Sequence, residues 1–248
     1  MLIKVKDAII AIFVVVSFGV LIVMVYNFEV ARSHRGLAKR IVALSGRGGP
    51  PETIEGLREA IALYERQIEF NVQTGVQTGT YWKILGIRLA DRGMHKDAVD
   101  AFERALYFNA DDPTLFYLMG ESASVSAAST VNFNGDSIFE KERYQNLAES
   151  AYLRAIELDP TYAKPRLGIG ILYTFDMDRP ADAIPHLERY LQILPSDVSS
   201  MFVLARAYFM TEDNQRAIDL YDRIIYRSKD PKVRAEAQNN REFIRNMM

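Results

Sequence analysis

The sequence predicts an all-α protein, a solenoid of helical hairpins preceded by one N-terminal transmembrane helix. Three observations predict it. Small residues recur among bulky ones at helical intervals, as in YWKILGIRLADRGMHKDAVDAFERAL, where Gly86, Ala98 and Ala105 stand among Trp82, Leu85, Leu89 and Phe102. The same intervals return further along the chain. An uncharged apolar run fills residues 8–26. A helix gives up side-chain volume at fixed places when a second helix must approach there, so the intervals describe packed helix pairs.

The run AIIAIFVVVSFGVLIVMVY at 8–26 is broken only by Ser17 and Gly19. At 1.5 Å per residue it spans roughly 28 Å, close to the apolar thickness of a bilayer. It is too long for a cleaved leader, and Tyr26-Asn27-Phe28-Glu29 offers no small-residue cleavage site. With no cysteine after it, a lipoprotein anchor is excluded, and the expectation is a single-pass membrane anchor over 8–28. Arg32, Arg35, Lys39, Arg40 and Arg47 outnumber Lys4 and Lys6, which favours a cytoplasmic C-terminal domain. The opposing reading is a signal anchor that sends the domain across the membrane to an extracytoplasmic, periplasmic side.

Residues 29–79 hold this basic juxtamembrane stretch, the glycine-rich hinge SGRGGPP at 45–51, and ETIEGLREAIALYERQIEF at 52–70. In the last of these Ala60 and Tyr64 have the spacing of a second helix, so a degenerate first repeat is expected. The basic stretch suits topology and headgroup contact.

From Trp82 the intervals run through Leu85, Gly86, Leu89, Gly93, Ala98, Phe102 and Ala105 to Pro113. This resembles the tetratricopeptide repeat, with W-x2-L-G-x2-Y on one helix, A-x3-F-x2-A on the next, and a boundary proline. Leu89 replaces the usual tyrosine. A second unit has Phe116, Met119 and Gly120, then Ala148, Tyr152, Ala155 and Pro160. A third has Ile169, Gly170 and Tyr173, then, after a turn one residue longer, Ala183, Leu187, Tyr190 and Pro195; Arg166 takes the slot of Trp82. A fourth has Met201, Leu204, Ala205 and Tyr208, then Ala217, Tyr221 and Pro231. The units are 80–113, 114–160, 161–195 and 196–231.

Residues 232–248 are expected to form a polar capping helix, with Val233, Ala237 and Phe243 or Ile244 on one side. The second unit carries about 16 extra residues at about 124–146, with a turn at Asn134-Gly135-Asp136 between a lengthened first helix or loop and the second helix.

No enzymatic chemistry is indicated, and no cofactor or metal is expected. The chain lacks cysteine, and His34, His95 and His186 are widely separated. The 45–51 loop lacks the GK[ST] ending of a nucleotide loop. Asp176, Asp178 and Asp182 lack the ligand spacing of an EF-hand. A net charge of -2 does not suggest nucleic acid. The resemblance implies protein or peptide partners, held in a groove lined by first helices. Its slots fall on Lys83 and Ile87, Tyr117 and Glu121, Leu167, Ile171 and Phe175, then Phe202, Arg206 and Phe209. Because Lys83 is followed by Ile87, the family's carboxylate clamp for chaperone tails is incomplete. The expectation is a membrane-anchored scaffold of the bacterial cell envelope. The alternative is an accessory subunit whose pocket, between the repeats and the 124–146 insertion, holds a small ligand or lipid.

Overall fold

The computed structural model describes Met24 and residues 54–130 and 135–248. Nine helices and no strand occur among them. They are α1 (Ile54–Asp91), α2 (His95–Phe108), α3 (Pro113–Ser129), α4 (Gly135–Leu158), α5 (Ala163–Ile171), α6 (Pro180–Ile193), α7 (Val198–Met210), α8 (Asn214–Arg227) and α9 (Pro231–Met247). A π-helical turn, Leu172–Asp176, extends α5. The expected transmembrane run (Met24 apart), the basic stretch and the hinge lie outside the described residues. Among the described residues no helix is long and apolar enough to cross a membrane.

Two compact units are present, Met1–Thr74 and Gly75–Met248. Within the second, each helix from α2 to α8 packs on its successor, and α3 also meets α5 as α5 meets α7. Such next-neighbour contact is how a repeat array builds one core from hairpins too small to have their own. The small residues sit where the helices cross: Ala98, Ala105, Ala148, Ala155, Ala183, Ala205 and Ala217 are fully buried.

The turns follow from local chemistry. Gly93 has φ +76°, and Met94 N donates to Leu89 O while Gly93 N donates to Ala90 O, the left-handed stop that closes a helix. Asp112, Asp197, Asp213 and Asp230 cap the next helices through side-chain carboxylates. Pro113, Pro180 and Pro231 open helices, where a missing N–H costs nothing.

Three sequence expectations need correction. Residues 52–70 and the first helix of the Trp82 unit are not separate elements, because α1 runs unbroken from Ile54 to Asp91. The linking NVQTGVQTGT has no proline, and Thr74 and Thr80 donate their hydroxyls to the Phe70 and Val76 carbonyls four residues back, so polar side chains are satisfied inside the helix. Gly135 and Asp136 belong to α4 and not to a turn. The extra residue of the third unit is held in the π turn, where Met177 N donates to Leu172 O at 3.0 Å. In the cap, Ile244 is the buried residue and Phe243 stays exposed.

Asp112 also accepts from Lys83 Nζ at 2.8 Å. Burial pushes the Asp112 carboxyl up, but the Lys83 hydrogen bond and charge and the Thr114 and Leu115 amides together hold it below the usual carboxylate range. Asp112→Ala is expected to destabilise by about 1 kcal/mol, the usual worth of such a cap. A carboxyl whose pKa is lowered on folding contributes above its unfolded pKa and loses that contribution as pH falls through the lower folded value. The stability gap between the parent and Lys83→Met is therefore expected to close in acid, as urea melts over a pH series would show.

Successive units are also joined by a recurring polar clasp. Tyr173 Oη donates to Glu149 at 2.6 Å; Arg179 reaches the same carboxylate at 2.8 Å and lies 4.4 Å from the Tyr173 ring centroid. One unit on, Tyr208 Oη donates to Glu188, while Arg216 reaches Glu188 at 3.3 Å and lies 4.6 Å from the Tyr208 ring. Burial first, and the Glu188 carboxylate second, push the Tyr208 phenol up to about 12. Tyr173→Phe and Tyr208→Phe are each expected to cost about 1 kcal/mol, the net worth of one intramolecular hydrogen bond, and calorimetry would measure it.

Candidate functional site

The ten predicted groove residues separate into three groups. Tyr117 and Glu121 of α3 and Leu167 and Ile171 of α5 line a cleft of about 420 Å³. Phe175 of the π turn and Phe202, Arg206 and Phe209 of α7 line another, of about 260 Å³, closed on its far side by α9. Lys83 is committed to Asp112, and Ile87 packs partly buried against the core, so neither reaches these clefts.

The first cleft is apolar with a polar rim. Its floor is the ring of Tyr152 from α4, wedged between α3 and α5. A methyl group built on Gly120 would stand 2.8 Å from that ring, and one on Gly168 would stand 2.6 Å from it. Only glycine lets both helices come this close. Tyr152 and Ser124 share a hydroxyl–hydroxyl bond at 3.3 Å, and Tyr117 Oη donates to Glu121 at 3.2 Å. Burial, then the Glu121 charge, raises the Tyr117 phenol, which keeps it a neutral donor. Lys164 Nζ lies 5.7 Å from the Tyr117 ring centroid, beside Tyr162. Asp176 sits at the cleft with its carboxyl raised by burial, and Gln145 of the lengthened hairpin donates to its backbone carbonyl at 2.6 Å.

The second cleft is aromatic. Phe202 packs edge-on against Tyr221, Phe209 packs likewise against Phe243 of the cap, and the Arg206 guanidinium lies 5.6 Å from the Phe209 ring. Phe175 and Phe243 remain 56% and 57% exposed, so two phenyl rings face solvent at one opening. A larger hollow, about 640 Å³, lies between α6, α7 and α8, but its charged lining is already engaged: Glu188 and Arg216 in the clasp with Tyr208, Asp219 as acceptor from Gln215, and Arg223 as donor to the Pro195 carbonyl.

Several lining residues were absent from the sequence prediction. Ser124 and Val125 follow Glu121 by three and four residues, and Lys164 precedes Leu167 by three, so helical periodicity alone carried a signal for them. Tyr152 is a second-helix residue reaching through to the first-helix face, and Phe243 comes from the cap. No spacing rule announces either.

The tetratricopeptide repeat family model matches residues 174–238. A relative described as a TPR repeat-containing protein, from Borreliella burgdorferi, is 24% identical over 198 residues, which is 79% of this chain and 83% of the relative. Among solved structures, the chain is similar in fold to YrrB, described as a TPR protein with an unusual peptide-binding site. That match has a TM-score of 0.53 at 19% identity and covers 82% of this chain and 90% of that one.

Proposed function

Because this chain is a tetratricopeptide-repeat protein, of a family whose members are generally non-enzymatic scaffolds for protein partners, we propose that it is a membrane-anchored adaptor gripping a partner segment along its first helices. The observation that carries this reading is the exposed pair Phe175 and Phe243 at the mouth of an aromatic cleft. Exposed aromatic surface beside a shaped apolar hollow is what concentrates binding energy at protein interfaces.

The apolar run at 8–26 supports a single-pass anchor in a cell membrane, and the basic residues after it favour a cytoplasmic repeat domain. An adaptor anchored in this way in a bacterial membrane would assemble or organise a complex of the cell envelope. Protease accessibility of the repeat domain in intact against permeabilised cells tests the side: protection only in intact cells supports the cytoplasmic placement.

For the groove, the informative variant is Ile171→Ala with Phe175→Ala. Both side chains are well exposed, whereas Phe202 and Phe209 also hold internal contacts whose loss would disturb the fold. Co-purification from detergent extract is expected to lose its specific partners with this variant. Equal recovery of the same proteins would defeat the reading, and a metabolite or lipid co-purifying with the wild type alone would favour the small-ligand alternative at the 420 Å³ cleft.

A further inference from the structure

The first part of α1 presents an apolar stripe to solvent. Leu57, Ile61, Tyr64, Ile68 and Val72 are 41%, 56%, 43%, 61% and 59% exposed. At 3.6 residues per turn they fall within an arc of about 80° on one face. An apolar face of this length is seldom left in water by a folded protein.

We propose that this stripe pairs with the same stripe of a second copy of the chain, the two helices running antiparallel. The spacing from Leu57 to Ile68 is four, three, four, which reads the same from either end. A stripe with that property matches itself about a two-fold axis. Leu57 then faces Ile68 of the second copy and Ile61 faces its Tyr64, giving four closed layers of the knobs-into-holes kind.

Charge selects the direction. Arg58 and Glu65 each follow a stripe residue by one position, on the same edge, and both are exposed. Among the described residues neither forms an ion pair within its own chain, and at seven residues, two turns, apart they do not pair with each other. In an antiparallel pair that edge meets its own copy, so Arg58 lies beside Glu65 of the second copy, twice by symmetry. In a parallel pair the edge would meet the side bearing Ala60 and Gln67, which offers no charge.

Four layers make a modest seam, and tethering of both copies to one surface would raise their effective concentration. The pairing does not depend on what the first-helix clefts bind.

The test uses the full chain in detergent, with sedimentation velocity over a concentration series and circular dichroism to confirm unchanged helicity. The wild type is expected to dimerise. Ile61→Asp and Ile68→Asp should each weaken the dimer about tenfold or more, because each buries a charge where an isoleucine packed. Arg58→Glu and Glu65→Arg should each weaken it about two- to tenfold, and the two combined should restore it. A monomer at every concentration, a dimer indifferent to the aspartates, or a charge exchange that fails to restore pairing would each overturn the proposal.

Discussion

Tyr152→Ala is expected to lower the stability of the repeat array by about 3–5 kcal/mol, the usual cost of removing a buried aromatic ring. The ring is only 3% exposed and touches two helices from different units, at Gly120 of α3 and Gly168 of α5. Its removal leaves a cavity at the joint between units as well as within a hairpin. Because array stability is roughly a sum of unit and interface terms, the loss should appear in calorimetry as a transition that broadens or splits. Tyr152→Phe separates the ring from its hydroxyl. It gives up only the bond to Ser124 and is expected to cost about 1 kcal/mol. If alanine and phenylalanine proved equally damaging, the wedge described for this ring would be mistaken. The alanine variant should also weaken anything bound in the first cleft, since Tyr152 is its floor.

Phe102→Ala is the second large expected loss, again about 3–5 kcal/mol. Phe102 is fully buried, and its ring atoms lie 2.5–2.9 Å from where a methyl group on Gly86 would stand. Gly86→Ala alone is therefore expected to cost about 1–3 kcal/mol through overpacking, despite alanine's better helix propensity. The two sites share one volume, so their effects should not add. Gly86→Ala in a Phe102→Leu background is expected to be much milder than in the wild type, and urea denaturation of the four proteins gives the coupling directly. Strict additivity would mean that the methyl group finds room elsewhere.

These two sites also show what the sequence made legible. Gly86 with Phe102, and Gly120 with Tyr152, are small-to-large complements sixteen or more residues apart, and recurrence of the interval disclosed the hairpins behind them. The partner-facing surface was only partly readable. Tyr117, Glu121, Leu167 and Ile171 share a cleft because they occupy equivalent turns of α3 and α5. Lys83 has the same register, but the carboxylate of Asp112, 29 residues on, captures it. Register fixes the direction of a side chain and says nothing about competing partners. The unbroken α1 is illegible for another reason: Gly75, Gly79 and the threonines of 71–80 are weak helix formers, and the two glycines lie against Phe108 and Asn109 at the end of α2, a tertiary contact that local propensity does not announce.

The π turn at Leu172–Asp176 has a consequence for how such an array can change. A residue added to a connecting loop leaves the helices on either side facing as they did. One accommodated inside a helix rotates all that follows in that helix by about 100°. The orientation of Phe175 is thus set by the length of its segment as much as by its chemistry. A single codon deleted ahead of Phe175 within this turn would swing that phenyl group out of the aromatic opening without changing any other lining residue of the second cleft, so a lineage could gain or abandon this contact by indel alone.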